Sequence, residues 1–322
     1  MPYCLKFAAG SLTVPDGDRP SYAGGVGTRC LGAHMEIGDW NATRELNEVY
    51  REIRTLGLES NLGELEAFGF TVIEHALSPE LTDDLKTAIL RIASDRAGHE
   101  LDPETETEYQ GLEFQPYLIF RDPIFKKSVM NAGPLALITY LLGQHCVLSS
   151  LGCHLKGPGG RPLPLHSDTA NGMPSPLPVQ SQVANCNYAL TDYTEDDGAL
   201  AVVPGSHRSH RQPTRWEAAL DGEARNPNVI AVEVPAGSAI VWHGATWHGS
   251  FVRRTPGLRI NLSNYFCRPY LMPQEEYPSR IPDGFLDGED PRLKRLLGAD
   301  LAYGWHQEGP TRRQPPSRSW HS

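Results

Sequence analysis

Short hydrophobic runs separated by glycine, proline and other turn-forming residues fill the chain from Cys146 onwards. Runs of this length and composition are typical of β-strands. The predicted strands are 146–155, 163–168, 181–190, 198–203, 229–234, 238–243, 247–252 and 258–266. Eight strands with Gly/Pro-rich connections favour a sandwich or jelly roll, which is the architecture of cupins.

The first half of the chain shows helical spacing around a single strand. From Asn41 to Gly57, hydrophobic residues recur every three or four positions, which predicts a helix. Residues 68–74 favour a strand. The sequence Ser78-Pro79-Glu80 then supplies an N-cap, a proline at the first helical position and an acidic first turn. A further helix is predicted over 134–142, so we expect a mainly β fold with flanking helices, in the α+β class.

The pattern divides the chain into three regions. Residues 1–60 are predicted to form an arm and a helix, and residues 61–270 a β-rich domain with a helical lead-in. Residues 271–322 are predicted to be a C-terminal extension with a disordered, Pro/Arg/Ser-rich end. Two connections could be functional: the polar stretch 98–115, a possible lid, and the proline-rich loop 169–180.

Composition narrows the class of protein. The formal net charge is −10, and the only concentrated basic stretch is 311–318, which argues against a nucleic-acid partner. No apolar run approaches the ~18 residues of a transmembrane helix, and the first residues lack the features of a signal peptide. The six cysteines are scattered, as expected for reduced thiols. These points favour a soluble, cytoplasmic protein of enzyme size, and they leave the oligomeric state, including a homodimer, open.

The first candidate for chemistry is the pair His166 and Asp168. On a strand, residues two apart face the same side, so this H-x-D would present an imidazole beside a carboxylate. Two histidines and one carboxylate on a β scaffold form the facial triad of non-haem iron oxygenases. One H-x-D is close to chance expectation in a chain with 12 histidines. A capping or surface role is therefore the alternative for this pair taken alone.

The third ligand could be His243 or His248. A turn at 253–257 predicts a hairpin in which Ser250 pairs with Arg259, so that His248, Ser250 and Arg259 would project from one face. Such a face could bind a metal and a dicarboxylate together, because a guanidinium binds carboxylates bidentately. The alternative is that His248 is a hydrogen-bonded strand histidine and Arg259 a solvated charge.

Three motifs in order resemble the phytanoyl-CoA dioxygenase family. They are His166-Ser-Asp168, the block from Asp196 to His207, and His248-Gly-Ser250 followed by Arg259. The lead-in at 68–80 is also similar, and the resemblance covers about residues 60–270. It implies a double-stranded β-helix core that uses Fe(II), 2-oxoglutarate and O2.

The resemblance also implies roles for single residues. The iron ligands would be His166, Asp168 and His248. Arg259 would bind the distal carboxylate of 2-oxoglutarate with Ser250 beside it. Asn187 would touch the same cosubstrate, and so would a polar residue before the core, either Gln115 or Tyr117. His207 would be structural. For the substrate we expect contacts from Tyr117, Gln182 and Trp247, with core packing as the alternative for Trp247. Cys153 and Cys186 are expected to be buried apolar residues, and His154 points either into the barrel or into the core.

The implied reaction is hydroxylation, or another oxidation, of an unactivated C–H bond in a small, fairly apolar molecule, with decarboxylation of 2-oxoglutarate to succinate. Asp168 favours this over halogenation, because related halogenases lack the carboxylate ligand. The main alternative is a cupin-like protein that binds a metal or small ligand without oxidation. A third hypothesis is a hydroxylase that acts on a protein or another macromolecule.

Overall fold

The computed structural model describes residues 41–106, 117–159, 161–171, 173–299, 305–306 and 309–310. The predicted arm at 1–40, the end of the C-terminal extension after 310, and Gln115 lie outside the described residues. Within the described part of the chain, no helix combines the length and hydropathy that crossing a membrane requires.

Helices precede and follow the β-rich region. They are α1 (Asn41–Thr55), α2 (Glu59–Phe68), α3 (Pro79–Ala97), α4 (Phe125–Val129), α5 (Ala132–Leu142) and α6 (Pro291–Leu296). The predicted start of α3 is confirmed, because the Ser78 hydroxyl accepts a hydrogen bond from the Leu81 amide at 3.2 Å. α2 was not predicted, and it spans the expected boundary between residues 60 and 61.

Each predicted strand from 146 onwards overlaps an observed one. The strands are β1 (Phe70–Ile73), β2 (Val147–Lys156), β3 (Leu163–His166), β4 (Val183–Ala189), β5 (Leu200–Val202), β6 (Ile230–Val232), β7 (Ala239–His243), β8 (His248–Ser250), β9 (Arg259–Cys267), β10 (Trp305–His306) and β11 (Gly309–Pro310). β1, β7, β4, β9 and β2 form one sheet in that order, and β3, β8, β5 and β6 form a second. All of these pairs are antiparallel.

Alternate residues of the five-stranded sheet face opposite layers. On β4, Ala184, Cys186 and Tyr188 join the apolar core that the sheet shares with the helices. Asn185 and Asn187, in between, line a cavity that also takes residues from the four-stranded sheet. The period of two along a strand therefore separates the packing face from the face that can bind ligands.

The predicted hairpin between Ser250 and Arg259 is wrong. β8 pairs with β3 and β5, whereas β9 pairs with β2 and β4 in the other sheet. Residues 251–258 therefore cross between the sheets instead of forming a tight turn. The Arg253 side chain stabilises this connection, because its Nε donates a hydrogen bond to the Gly257 carbonyl at 2.8 Å.

The first part of the C-terminal extension packs on the core. Leu293 and Leu296 of α6 are fully buried within the main apolar cluster. Arg292 donates hydrogen bonds to the Gln144 carbonyl and the Thr139 hydroxyl. α6 is therefore part of the same hydrophobic core as the sheet.

Candidate active site

His166, Asp168 and His248 meet at one side of the cavity between the sheets. The Nε2 atom of His166 lies 3.5 Å from Oδ1 of Asp168, and Nε2 of His248 lies 3.4 Å from Oδ2. The potential ligand atoms of the three residues all lie within 4.8 Å of one another. His248 is buried, and about a third of the His166 side chain is exposed. Two imidazoles and one carboxylate in this arrangement match the facial triad.

Backbone carbonyls hold both imidazoles in the orientation that a metal requires. Nδ1 of His166 lies 2.9 Å from the Pro164 carbonyl, and Nδ1 of His248 lies 3.0 Å from the Thr246 carbonyl. A carbonyl can only accept, so each Nδ1 carries the proton. In the neutral form of each ring, Nε2 is then the nitrogen that can bind a metal. The donor set therefore fits a divalent metal ion.

Asp168 lies outside the strand, contrary to the sequence prediction for 163–168. β3 ends at His166, and Asp168 begins a short 3₁₀ helix that runs to Ala170. The turn is held by Gln212, whose side-chain amide accepts from the Ser167 N–H and donates to the Ser167 carbonyl, both at 2.8 Å. The carboxylate reaches the imidazoles because the chain turns after His166, rather than through strand alternation.

Asn185 is a site residue that sequence reasoning missed. Its Nδ2 donates to Oδ2 of Asp168 at 2.7 Å. Burial tends to raise the pKa of Asp168, but His248, His166 and the Asn185 amide together hold that pKa below its ordinary value. The only signal in the sequence was the alternation of side chains along a strand, which puts Asn185 on the same face as Asn187.

Arg259 lies in the same cavity as the three candidate ligands. The cavity has a volume of about 500 Å³. The Arg259 side chain is buried, and its Nη1 donates to the Gly198 carbonyl at 2.6 Å. Its Nε has no hydrogen-bond partner, and no acidic side chain of the described residues lies within 4.0 Å of the guanidinium. A buried guanidinium without a counter-ion can accept a carboxylate from a ligand.

Lys156 and Ser250 lie on the same wall as Arg259. Lys156 is the cross-strand partner of Arg259, and its Nζ donates to the Ser250 hydroxyl at 2.9 Å and to the Phe251 carbonyl. Both residues line the cavity. Asn187 also lines it, and its Oδ1 has no hydrogen-bond partner. This end of the cavity therefore combines two cations with a hydroxyl and an amide, a set suited to a carboxylate.

The other histidines of the region are separate from the triad. The His243 ring lies 5.4 Å from that of His207 rather than near Asp168. Burial lowers the pKa of His243 to about 4, and the nearby His207 adds to the effect. His154 points into the cavity, and burial, followed by the charges of Arg259 and Lys156, lowers its pKa to about 4. The buried apolar role expected for Cys153 and Cys186 is confirmed.

The three residues expected to face the substrate lie in different places. Tyr117 packs against Phe120 and Tyr277 and does not line the cavity. Trp247 is buried in an apolar cluster, with its Nε1 donating to the Arg211 carbonyl at 2.9 Å. Gln182 lines a second, smaller cavity. The geometry therefore supports core packing for Trp247 and gives no support to a substrate role for Tyr117.

Comparison with known proteins places this site in a family. The profile of the family described as Phytanoyl-CoA dioxygenase (PhyH) matches residues 65–261, which include the three candidate ligands and Arg259. The dioxygenase af480 of Aspergillus fumigatus is 28% identical over 252 residues, covering 76% of this chain and 77% of the relative. The dioxygenase FUM3 of Gibberella moniliformis is 29% identical over 205 residues, covering 60% and 62%.

Solved structures share the fold. HygX from Streptomyces hygroscopicus, with nickel and 2-oxoglutarate bound, is 17% identical with a TM-score of 0.54, covering 67% of this chain and 88% of HygX. The carbocyclase SnoK from nogalamycin biosynthesis is 18% identical with a TM-score of 0.51, covering 72% and 91%. These likenesses confirm the double-stranded β-helix fold. Because the family match spans more than half of the chain, the non-oxidative cupin-like alternative is set aside. The chain belongs to the phytanoyl-CoA dioxygenase family of Fe(II)- and 2-oxoglutarate-dependent oxygenases.

Proposed function

We propose that this oxygenase hydroxylates an unactivated C–H bond of a small, largely apolar molecule. One atom of O2 enters the substrate as a hydroxyl group, and the other enters succinate as 2-oxoglutarate loses CO2. Iron bound with 2-oxoglutarate supplies the oxidising power for this exchange. The residues that would hold the iron are His166, Asp168 and His248, whose donor atoms fit a divalent ion.

The other side chains of the cavity have positioning roles in this proposal. Arg259 would bind the distal carboxylate of 2-oxoglutarate, with the Ser250 hydroxyl and the Lys156 ammonium beside it. Asn187 would donate its amide to the same molecule. Asp168 fills the position that a halide would need, which favours hydroxylation. The cavity lies between the two sheets and opens to solvent on the side of His166, where a substrate can enter.

One observation supports this function above the others. Arg259 is buried in the cavity of the triad without an acidic partner among the described residues. A buried charge is costly unless it is paired, so an anion completes this cavity. A metal-binding protein with no dicarboxylate cosubstrate would have no use for such a residue.

The test is consumption of 2-oxoglutarate and formation of succinate by the Fe(II)-loaded protein across a broad panel of small apolar molecules. In Arg259→Met, we expect the Kd for 2-oxoglutarate to rise about 100-fold, because the variant loses a charge-assisted bidentate contact with the carboxylate. The matched control is Arg254→Met, an exposed arginine paired with Asp196. A wild-type protein that binds no 2-oxoglutarate and forms no succinate would refute the proposal.

HygX has also been solved with nickel, 2-oxoglutarate and hygromycin B bound, so one protein of this fold binds a small molecule together with a metal and 2-oxoglutarate. That arrangement supports a small-molecule substrate here. The cytoplasmic location expected from the sequence stays a prediction, and the homodimer stays open.

A further inference from the structure

A second cavity of about 330 Å³ adjoins the candidate metal centre. It shares three lining residues with the first cavity: Asp168, Tyr265 and Gln274. Its other walls come from the segment after Asp168, the start of β4, Ser149 of β2, the end of β9 and the segment after β9. A molecule held there lies next to the carboxylate that would bind the metal.

The two cavities differ in charge. Lys156, Arg161 and Arg259 line the first one. Among the described residues, no side chain that is charged at neutral pH lines the second, apart from Asp168. Transfer of an unpaired charge into such surroundings is costly. The first cavity therefore suits the dicarboxylate, and the second suits an uncharged molecule.

One wall of the second cavity is apolar. Val183, Tyr265 and Cys267 belong to a small buried cluster against which Leu271 packs. All four residues line the cavity, and Met173 and Met272 extend its apolar surface. Met272 is 94% exposed. Methionine side chains are flexible and adapt to irregular apolar ligands.

The polar groups of this cavity are uncharged. Gln182, Asn171 and Gln274 contribute amides to its lining. The side-chain Oε1 of Gln182 accepts a hydrogen bond from the Tyr270 hydroxyl at 2.5 Å, and its Nε2 donates to the Gln180 carbonyl at 2.9 Å, which together fix the amide at the cavity wall and leave one N–H and one lone pair for a ligand. Amides of this kind can bind hydroxyl or carbonyl groups of a ligand.

We propose that the second cavity is the substrate site and that it takes an uncharged, mainly apolar molecule bearing hydroxyl or carbonyl groups. This rests on the proposed function, because only the oxygenase reaction requires a substrate next to the metal. Leu271 and Val183 then set the size of the substrate, and Gln182 and Asn171 bind its polar groups.

The test uses the full chain loaded with Zn(II) and 2-oxoglutarate, which binds ligands without turnover. Two probes of matched size, 2-naphthylmethanol and 2-naphthoate, are compared by saturation-transfer NMR. Bound 2-oxoglutarate occupies Arg259 and the neighbouring Lys156, which weakens binding of the naphthoate in the first cavity by charge pairing. We expect the alcohol to bind about tenfold more tightly than the carboxylate, because the carboxylate would leave an unpaired charge in the second cavity.

Two tryptophan variants locate the bound alcohol. Leu271→Trp fills the second cavity and should weaken alcohol binding about tenfold. Leu163→Trp fills the rim of the first cavity, where Leu163 is 51% exposed, and should leave alcohol binding unchanged. Circular dichroism and thermal unfolding check that both variants fold, and Val183→Phe replaces Leu271→Trp if that variant does not.

The inference is overturned if wild type does not bind the alcohol, if it binds the naphthoate equally well, or if Leu163→Trp alone blocks the alcohol. These failures differ from failure of the proposed function, which would appear as absent 2-oxoglutarate binding and absent succinate formation. Binding of 2-oxoglutarate should stay unchanged in Leu271→Trp.

Discussion

Asn185 donates a hydrogen bond to only one oxygen of Asp168. The bond from Nδ2 to Oδ2 measures 2.7 Å, while Oδ1 faces His166 at 3.5 Å from Nε2. The two carboxylate oxygens are therefore not equivalent. Oδ2 also faces Nε2 of His248 at 3.4 Å, so each oxygen faces one imidazole and the Asn185 amide fixes the rotation of the carboxylate between the two rings.

Replacement of Asn185 by leucine should lower metal affinity about 10- to 100-fold, because such supporting hydrogen bonds orient a ligand. The measurement is titration with Fe(II) or Zn(II) against a competing chelator. Asn187→Leu is the matched control: it lies on the same face of β4 and is not bonded to Asp168. Equal metal affinity in the two variants would contradict the positioning role of Asn185.

Lys156 should contribute to cosubstrate binding. Its ammonium bonds to Ser250 at the Arg259 end of the cavity, where it adds a second positive charge. Lys156→Met keeps most of the side-chain volume, and we expect the Kd for 2-oxoglutarate to rise about tenfold. Calorimetry on the Zn(II)-loaded protein measures this. The control is Lys86→Met, because the Lys86 side chain is 33% exposed and pairs with Asp83 in α3. Unchanged affinity would exclude Lys156 from the cosubstrate site.

Stability should fall in mild acid because of two histidines. Burial lowers the pKa values of His154 and His243 to about 4 from the ordinary 6.5. Between these values the unfolded chain binds more protons than the folded one, so stability present above pH 6.5 is lost as the pH falls towards 4. Each histidine can account for about 3 kcal/mol of this loss.

Urea unfolding at pH 7.5 and pH 5 checks this dependence. In His243→Gln, the difference in unfolding free energy between pH 7.5 and pH 5 should be smaller than in wild type, because one of the two titrating histidines is removed. His99→Gln is the control, because the His99 side chain is 61% exposed. If His243→Gln keeps the full wild-type dependence, another group is responsible for the acid sensitivity.

Gly249 should tolerate no side chain. A Cβ at this position would lie 2.2 Å from the Leu163 carbonyl oxygen and 3.0 Å from that of Pro164. Gly249→Ala must therefore push β3 away from β8, and these strands hold His166 and His248. We expect a loss of about 1–3 kcal/mol in unfolding free energy, the usual cost of overpacking, together with weaker metal binding.

The matched control for Gly249→Ala is Gly63→Ala, in α2, where a Cβ would meet nothing within 4 Å. That change should stabilise the fold by about 0.5–1 kcal/mol, since alanine favours a helix over glycine. Thermal unfolding and metal titration of both variants decide the outcome. If Gly249→Ala binds metal as tightly as wild type does, the close approach of β3 and β8 is not needed for metal binding.

The sequence determined the strands and the chemistry of the site. Hydrophobic runs bounded by turn residues located β1 to β9 because that pattern is local, whereas the two-residue strands β10 and β11 were not predicted. The ordered motifs around His166, His248 and Arg259 were recognisable without coordinates. The alternation along 181–190 also separates the apolar Cys186 from Asn185 and Asn187.

The tertiary structure decided which strands pair and what the side chains meet. β8 and β9 are neighbours in sequence but lie in different sheets, so the predicted pairing of Ser250 with Arg259 was wrong. The bonds from Asn185 to Asp168 and from Lys156 to Ser250 join residues 17 and 94 positions apart. Strand formation depends on neighbouring residues, whereas pairing and side-chain contacts depend on the packing of distant segments, which no local pattern specifies.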